Sequence, residues 1–91
     1  MSYKVIIAPK AEDDLRKLKE NEPKAFEKAG RLILELMEHP RTGTGKPERL
    51  HGSQSNQWAR RINRKHRLIY EIEYNIVTVF VLSAYGHYDD K

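Results

Sequence analysis

The stretch "NRKHRLIY", residues 63–70, places Arg64, Lys65, His66 and Arg67 immediately before an apolar run. Four cationic or titratable side chains at one strand entrance form a site for an anion. The surrounding sequence extends that bias. Residues 41–67 hold eight Lys or Arg (Arg41, Lys46, Arg49, Arg60, Arg61, Arg64, Lys65, Arg67) and a single acid, Glu48, a local balance of +7. The remaining residues sum to −3, giving +4 overall and a pI of 9.4. A cationic field this concentrated is what a nucleic-acid surface requires. A metal nuclease would need a different donor set. The "HYDD" segment offers His87, Asp89 and Asp90, but adjacent aspartates in an extended tail point in opposite directions, and no inward-facing acidic cluster completes a hard-cation site.

The elements that must position these residues follow from periodicity. Tyr3 to Ile7 is short and β-branched, hence a strand. Pro9 suits a first helical turn, and Ala11, Leu15 and Leu18 recur among charged residues as one apolar stripe, predicting a helix over about 9–20. "ENEP" interrupts it. Pro23 opens a second helix whose Phe26, Ala29, Ile33, Leu36 and Met37 line one face, with His39 and Pro40 as its termination. Beyond Pro40 the helical period disappears into a Gly-rich loop, in which Pro47 to Leu50 has the makings of a short strand. Trp58 to Ile62, Arg67 to Glu73 and Ile76 to Tyr85 read as three successive strands, the last two joined at Tyr74-Asn75. The order βααβββ predicts an α+β domain of two layers, an antiparallel sheet with a helical hairpin on one face.

With Asn63 to His66 as the turn, Ile62 opposes Arg67 and Arg60 opposes Ile69. Directly opposed residues share a face, so Arg60 and Arg67 are expected on the uncovered side and Leu68, Tyr70 and Ile72 under the helices. The charges then decorate a shallow basic floor. Lys46, Arg60, Arg61, Arg64 and Lys65 are the expected phosphate contacts, with a structural role as the alternative for Arg61. Trp58 is expected in the core or an interface, and His51 and His66 at the surface.

Four segments, "GTGKPERL" (Gly43 to Leu50), "WARRI" (Trp58 to Ile62), "HRLIY" (His66 to Tyr70) and "GHY" (Gly86 to Tyr88), occur in one order. Together they resemble the YoeB-type ribosome-dependent messenger-RNA interferases, toxins of the RelE/ParE superfamily, and the resemblance runs through residue 88. It implies a metal-independent endoribonuclease that needs no cofactor and acts on messenger RNA in the ribosomal A site. Such a reaction, in which the ribose 2′-hydroxyl attacks the adjacent phosphorus, needs a base, a cation and an acid. By motif Glu48 corresponds to the base, Arg67 to the transition-state clamp and His87 to the acid, with Tyr88 beside the scissile nucleotide. The sequence departs from the family in three places. Arg49 stands where a second proline is common, "GSQSNQW" replaces a Ser-Gly turn before the tryptophan, and Asp89, Asp90 and Lys91 follow the His-Tyr pair.

The resemblance further implies a cognate Phd/YefM-type antitoxin whose disordered tail folds over the basic face, and leaves room for a homodimer. Competing functions on the same scaffold are a ParE-like gyrase-inhibiting toxin, which needs no such catalytic set, and a nucleic-acid-binding module without turnover. One domain over residues 1–91 is expected, with 89–91 as a short acidic tail. The chain has no cysteine, and neither the short run around Val5 to Ile7 nor the C-terminal apolar run has the length of a secretory or membrane-spanning segment. A cytoplasmic protein without membrane partners is the expectation.

Overall fold

The computed structural model describes residues 3–50 and 56–84, the side chains of 80–84 aside. Its elements are β1 (Lys4–Ile7), α1 (Pro9–Asn21), α2 (Pro23–Leu36), β2 (Glu48–Arg49), β3 (Gln57–Arg61), β4 (His66–Glu73) and β5 (Ile76–Ala84). Proline sets both helix starts, since its missing N–H falls where no intrahelical bond is made. It also ends the first helix. Glu22 precedes Pro23, is driven out of the helical region to φ −142° and ψ 76°, and still donates its amide to Leu18 O at 2.7 Å. The result is an αα-hairpin with a one-residue joint.

The strands form one five-stranded sheet in the order β1-β5-β4-β3-β2. It is mixed rather than antiparallel throughout: β1 runs parallel to β5, with Lys4 opposite Ile76 and Ile7 opposite Val79. The cause is topological. The helical hairpin carries the chain from β1 to the far edge, and the four-strand meander returns with alternating direction, so its last strand arrives beside β1 and parallel to it. The strand anticipated near Pro47 exists as the two-residue β2, which makes the edge opposite β1.

The core lies between the helices and one face of the sheet. Ala11 and Leu18 of α1 and Ala25, Ala29, Leu32 and Leu36 of α2 pack on Ile62, Leu68, Tyr70, Ile72, Val77 and Val79. Each fully buried leucine, isoleucine or valine side chain here is worth about 1.5–3 kcal/mol. The stripe on α2 is rotated from the expected one. Ala25 and Leu32 are buried, Phe26 and Ile33 flank them, and Met37 is 42% exposed beyond the helix end.

The β3–β4 connection departs most from the sequence expectation. Arg61 pairs with Arg67, Arg60 with Leu68 and Trp58 with Tyr70, one residue out of the expected register. The turn comprises Ile62 to Lys65. Ile62 donates its amide to His66 O at 2.9 Å, and the Asn63 side-chain oxygen accepts from the Lys65 and His66 amides at 2.8 and 2.9 Å. An asparagine that replaces backbone acceptors in this way favours the turn one position earlier. Because side chains alternate with period two, the slip exchanges the faces of every β3 residue. Ile62 becomes core at 2% exposure, and so does Arg60, at 0%.

Candidate active site

The observed pairing assembles one outward surface from three adjacent strands. Glu48 of β2 stands opposite Ala59 of β3, which stands opposite Ile69 of β4; two residues further along, Arg61 stands opposite Arg67. All five share the face away from the helices. At about 4.8 Å between strands and about 6.7 Å per two residues, the Cα atoms of Glu48 and Arg67 lie about 12 Å apart, with that of Arg61 between them. Extended glutamate and arginine side chains close such a gap. Glu48 and Arg61 are exposed, Arg67 is partly so, and Ala59 and Ile69 are buried between them at 4% and 8% exposure. Arg64 and Lys65 are exposed on the turn that leads into Arg67, and Lys46 is exposed on the loop before β2.

Arg60 does not belong to this surface. Its guanidinium is fully buried on the helix side and bonds to five groups of α2, the segment after it and β4. Nη1 donates to Glu35 Oε1 at 2.7 Å and to Thr44 O at 3.3 Å. Nη2 donates to Thr42 O at 2.6 Å and to His39 O. Nε donates to Tyr70 Oη at 3.2 Å, and that hydroxyl donates to Pro40 O at 2.7 Å. The expected phosphate contact is therefore an internal tether, and Arg61, for which a structural role was the alternative, is the one that faces outward. The tether could not be read from Arg60 alone. Its partners carry a signal, however, since Glu35 follows the apolar Leu34 on a helix flank and Tyr70 occupies a core position of β4.

The loop that the tether gathers is shaped by backbone conformation as well. Gly43 and Gly45 have φ of 115° and 88°, and Lys46 adopts a left-handed φ of 52°, uncommon for a side-chain-bearing residue. Gly45 also has no room for a Cβ, which would come 2.9 Å from Arg61 O. Gly45 O accepts the Arg61 amide at 2.7 Å, and Thr44 donates its amide and hydroxyl to Glu35 at 3.0 and 2.7 Å. These bonds set the electrostatics. The Thr44 hydroxyl first, then its amide and the Arg60 guanidinium, hold the Glu35 carboxyl below its usual value. Burial pushes the Tyr70 phenol up against the opposing pull of Arg60.

A second anchor lies at the other end of the β3–β4 hairpin. His66 Nε2 meets Glu22 Oε2 at 2.8 Å, tying the joint between the helices to the start of β4. His66 is thus a packed, partnered residue with a side chain only 12% exposed, contrary to its expected surface placement. The hydrogen bond with His66, foremost, lowers the Glu22 carboxyl. Trp58 packs against the core and donates Nε1 to Asn56 Oδ1 at 2.9 Å, as expected for a structural tryptophan. The expected acid His87 and its neighbour Tyr88, together with His51 and Asp89 to Lys91, lie outside the described residues. β5 ends at Ala84, paired with His66 and one position from the Arg67–Ser83 pair. Among the described residues no group of three His, Cys, Asp or Glu is placed to hold a metal ion, and no helix is long and apolar enough to cross a membrane.

The fold is shared with solved toxins. The YoeB dimer of Staphylococcus aureus superposes with a TM-score of 0.78 at 26% identity, over 91% of this chain and 97% of that one. The YoeB/ParE toxin of Agrobacterium tumefaciens gives 0.79 at 28%, over 89% and 96%. In sequence, Toxin YoeB of Mycobacterium bovis is 47% identical over 58 residues, 64% of this chain and 66% of that relative, so the match spans just under two thirds of the relative's length. A mixed sheet under a helical hairpin, with an outward cationic face, thus marks a toxin of the RelE superfamily. More narrowly, residues 7–88 match the YoeB-like toxins of bacterial type II toxin-antitoxin systems, and the chain belongs to that family.

Proposed function

We propose that the protein is a ribosome-dependent endoribonuclease that cleaves messenger RNA in the ribosomal A site. The observation that carries this reading is the alignment of Glu48, Arg61 and Arg67 on one open face across β2, β3 and β4. Directly opposed like charges destabilise a sheet, so the Arg61–Arg67 pair favours an anion that bridges it. A phosphodiester is such an anion. The nucleophile belongs to the substrate: the 2′-oxygen attacks phosphorus, the P–O5′ bond breaks, and a 2′,3′-cyclic phosphate and a 5′-hydroxyl form. Glu48 takes the 2′-hydroxyl proton. Arg67 meets the charge that builds on the phosphorane oxygens with its planar fork. His87 returns a proton to O5′, and Tyr88 packs beside the nucleotide. A span of three Cα–Cα steps, at most about 11 Å of chain, separates His87 from Ala84 beside the Arg67 end of the sheet, which supports this assignment. Lys46, Arg61, Arg64 and Lys65 hold flanking phosphates.

A face this open encloses little of an RNA strand, which favours a substrate presented by the ribosome. In the cytoplasm the toxin is held in check by an antitoxin of the YefM type; the S. aureus YoeB-YefM complex supports that partner, and the S. aureus dimer supports self-association. The test is cleavage of messenger RNA on programmed ribosomes with mapping of the ends. The wild type yields cyclic-phosphate termini, and Glu48→Gln, Arg67→Ala and His87→Ala each lower the rate by about 100-fold or more with antitoxin binding intact. Unimpaired cleavage by Arg67→Ala would remove the mechanism. Intact transcripts with a DNA-damage response would point to gyrase inhibition instead.

A further inference from the structure

Between Met37 and Pro47 the chain has no helix or strand, and at the end of that excursion stands Glu48. The strand that carries Glu48 is two residues long and lies at the sheet edge, too short to fix its own position. Yet the excursion is tied at short intervals. Arg60 takes the carbonyls of His39, Thr42 and Thr44, and Tyr70 takes that of Pro40. The Arg61 amide takes Gly45 O, leaving only Lys46 and Pro47 before the β2–β3 pairing begins. Pro47 has a fixed φ. The loop that delivers Glu48 is thus held mainly by a buried guanidinium belonging to the strand beside it.

We infer that Arg60 is a positioning residue for Glu48: its inward guanidinium gathers residues 39–44 so that the carboxylate reaches the face shared with Arg61 and Arg67. This rests on the assignment of Glu48 as base. Adjacent arginines on β3 then divide the work, one fixing the base from beneath the sheet and the other facing the phosphate. A catalytic group held within a fraction of an ångström depends on such support, and a displacement of about 1 Å is enough to cost a large factor in rate. Lysine at position 60 keeps the charge but has neither the planar fork nor enough donors for this set of acceptors.

The experiment is a double-mutant cycle in single-turnover cleavage on programmed ribosomes, run well below the melting temperature of every variant. Arg60→Lys should lower kcat by about 10- to 100-fold while KM stays within about 2-fold, because the phosphate-binding cations are untouched. In a Glu48→Gln background the same substitution should cost no more than about 2-fold, since a residue that acts only through the base has nothing left to position. Equal losses in both backgrounds would overturn the inference. Hydrogen exchange gives a readout independent of activity. The Thr44 and Arg61 amides should exchange faster in Arg60→Lys while those of α1 and β5 keep their protection, and uniform acceleration would mean general destabilisation only. If Arg60→Lys does not fold, Thr44→Val, which removes the exposed hydroxyl bond to Glu35, should reproduce the non-additivity with a loss of several-fold. Full activity of Arg60→Lys beside an inactive Glu48→Gln sinks this inference alone. Full activity of Glu48→Gln sinks the functional proposal and this one with it.

Discussion

Arg60 and Arg61 are chemically identical neighbours, yet replacing each by alanine should give opposite results. Arg60→Ala withdraws donors from Glu35, Tyr70 and three backbone carbonyls, all within a side chain at 0% exposure. Removing one partner of a buried ion pair costs about 3–5 kcal/mol, because the other is left uncompensated. Two features moderate this. The Glu35 side chain is 33% exposed and rehydrates, and Thr42 and Thr44 lie in an exposed loop. Loss of the guanidinium over the Tyr70 ring, 5.9 Å from its centroid, acts in the opposite sense. About 3 kcal/mol is the expected net loss, which in a domain of this size lowers the melting temperature by about 15 °C. Arg61→Ala removes an exposed side chain that faces Arg67, so its effect should stay within about 0.5 kcal/mol and lean towards stabilisation. Urea unfolding followed by circular dichroism, with thermal scans beside it, measures both. Equal losses, or a larger loss for Arg61→Ala, would mean that β3 pairs one residue away from the register described above.

Two further outcomes follow from the backbone and the carboxylates. Gly45→Ala, at φ 88° and with Arg61 O 2.9 Å from the added Cβ, should cost about 1–3 kcal/mol, whereas Gly30→Ala, with open space around it in α2, should stabilise by about 0.4–1 kcal/mol; thermal scans of the pair decide it. Glu22 and Glu35 titrate below their ordinary 4.5 in the folded state, so the stability they contribute is fully present above pH 4.5 and is lost as pH falls through their depressed values. Urea midpoints measured across pH 2–6 should fall more gently in Glu35→Gln than in wild type, and an unchanged slope would show that the Thr44 bonds do not matter to folding.

Much of the architecture was legible because the relevant signals are local. Pro9, Pro23 and Pro40 punctuate the helices, and period-two apolar runs mark β4 and β5. The parallel pairing of β1 with β5 was not legible, since it depends on which edge the helical hairpin reaches, a matter of tertiary packing. The β3–β4 register failed for a narrower reason. "INRKHR" offers two turns one residue apart, and because either one turns one of the adjacent Arg60 and Arg61 inward, pattern alone does not choose between them. The energy that decides between them is non-local: it comes from Glu35 and Tyr70 and from the carbonyls of the loop after α2, 10 to 25 positions from Arg60 in sequence. The face of Arg67 was nevertheless legible, because it lies on β4, whose alternation is set by Leu68, Tyr70 and Ile72 whatever the turn.

That non-local decision also explains why a charge is buried where an aliphatic residue would suit the core. An apolar residue at position 60 would satisfy the β3 pattern and pack beneath the sheet, but it would take the Arg60 donors from the carbonyls of His39, Thr42 and Thr44 and with them most of what draws the loop to β3. Buried ionic groups are weak evidence for stability and better evidence for a fixed arrangement. Here the arrangement fixed is the path of one loop, and the acid at its end is the single carboxylate in the basic segment of the chain. The requirement for Arg60 therefore lies in geometry: it makes the position of an edge residue depend on the register of the neighbouring strand, so that the fold and the reactive face are specified by the same pairing.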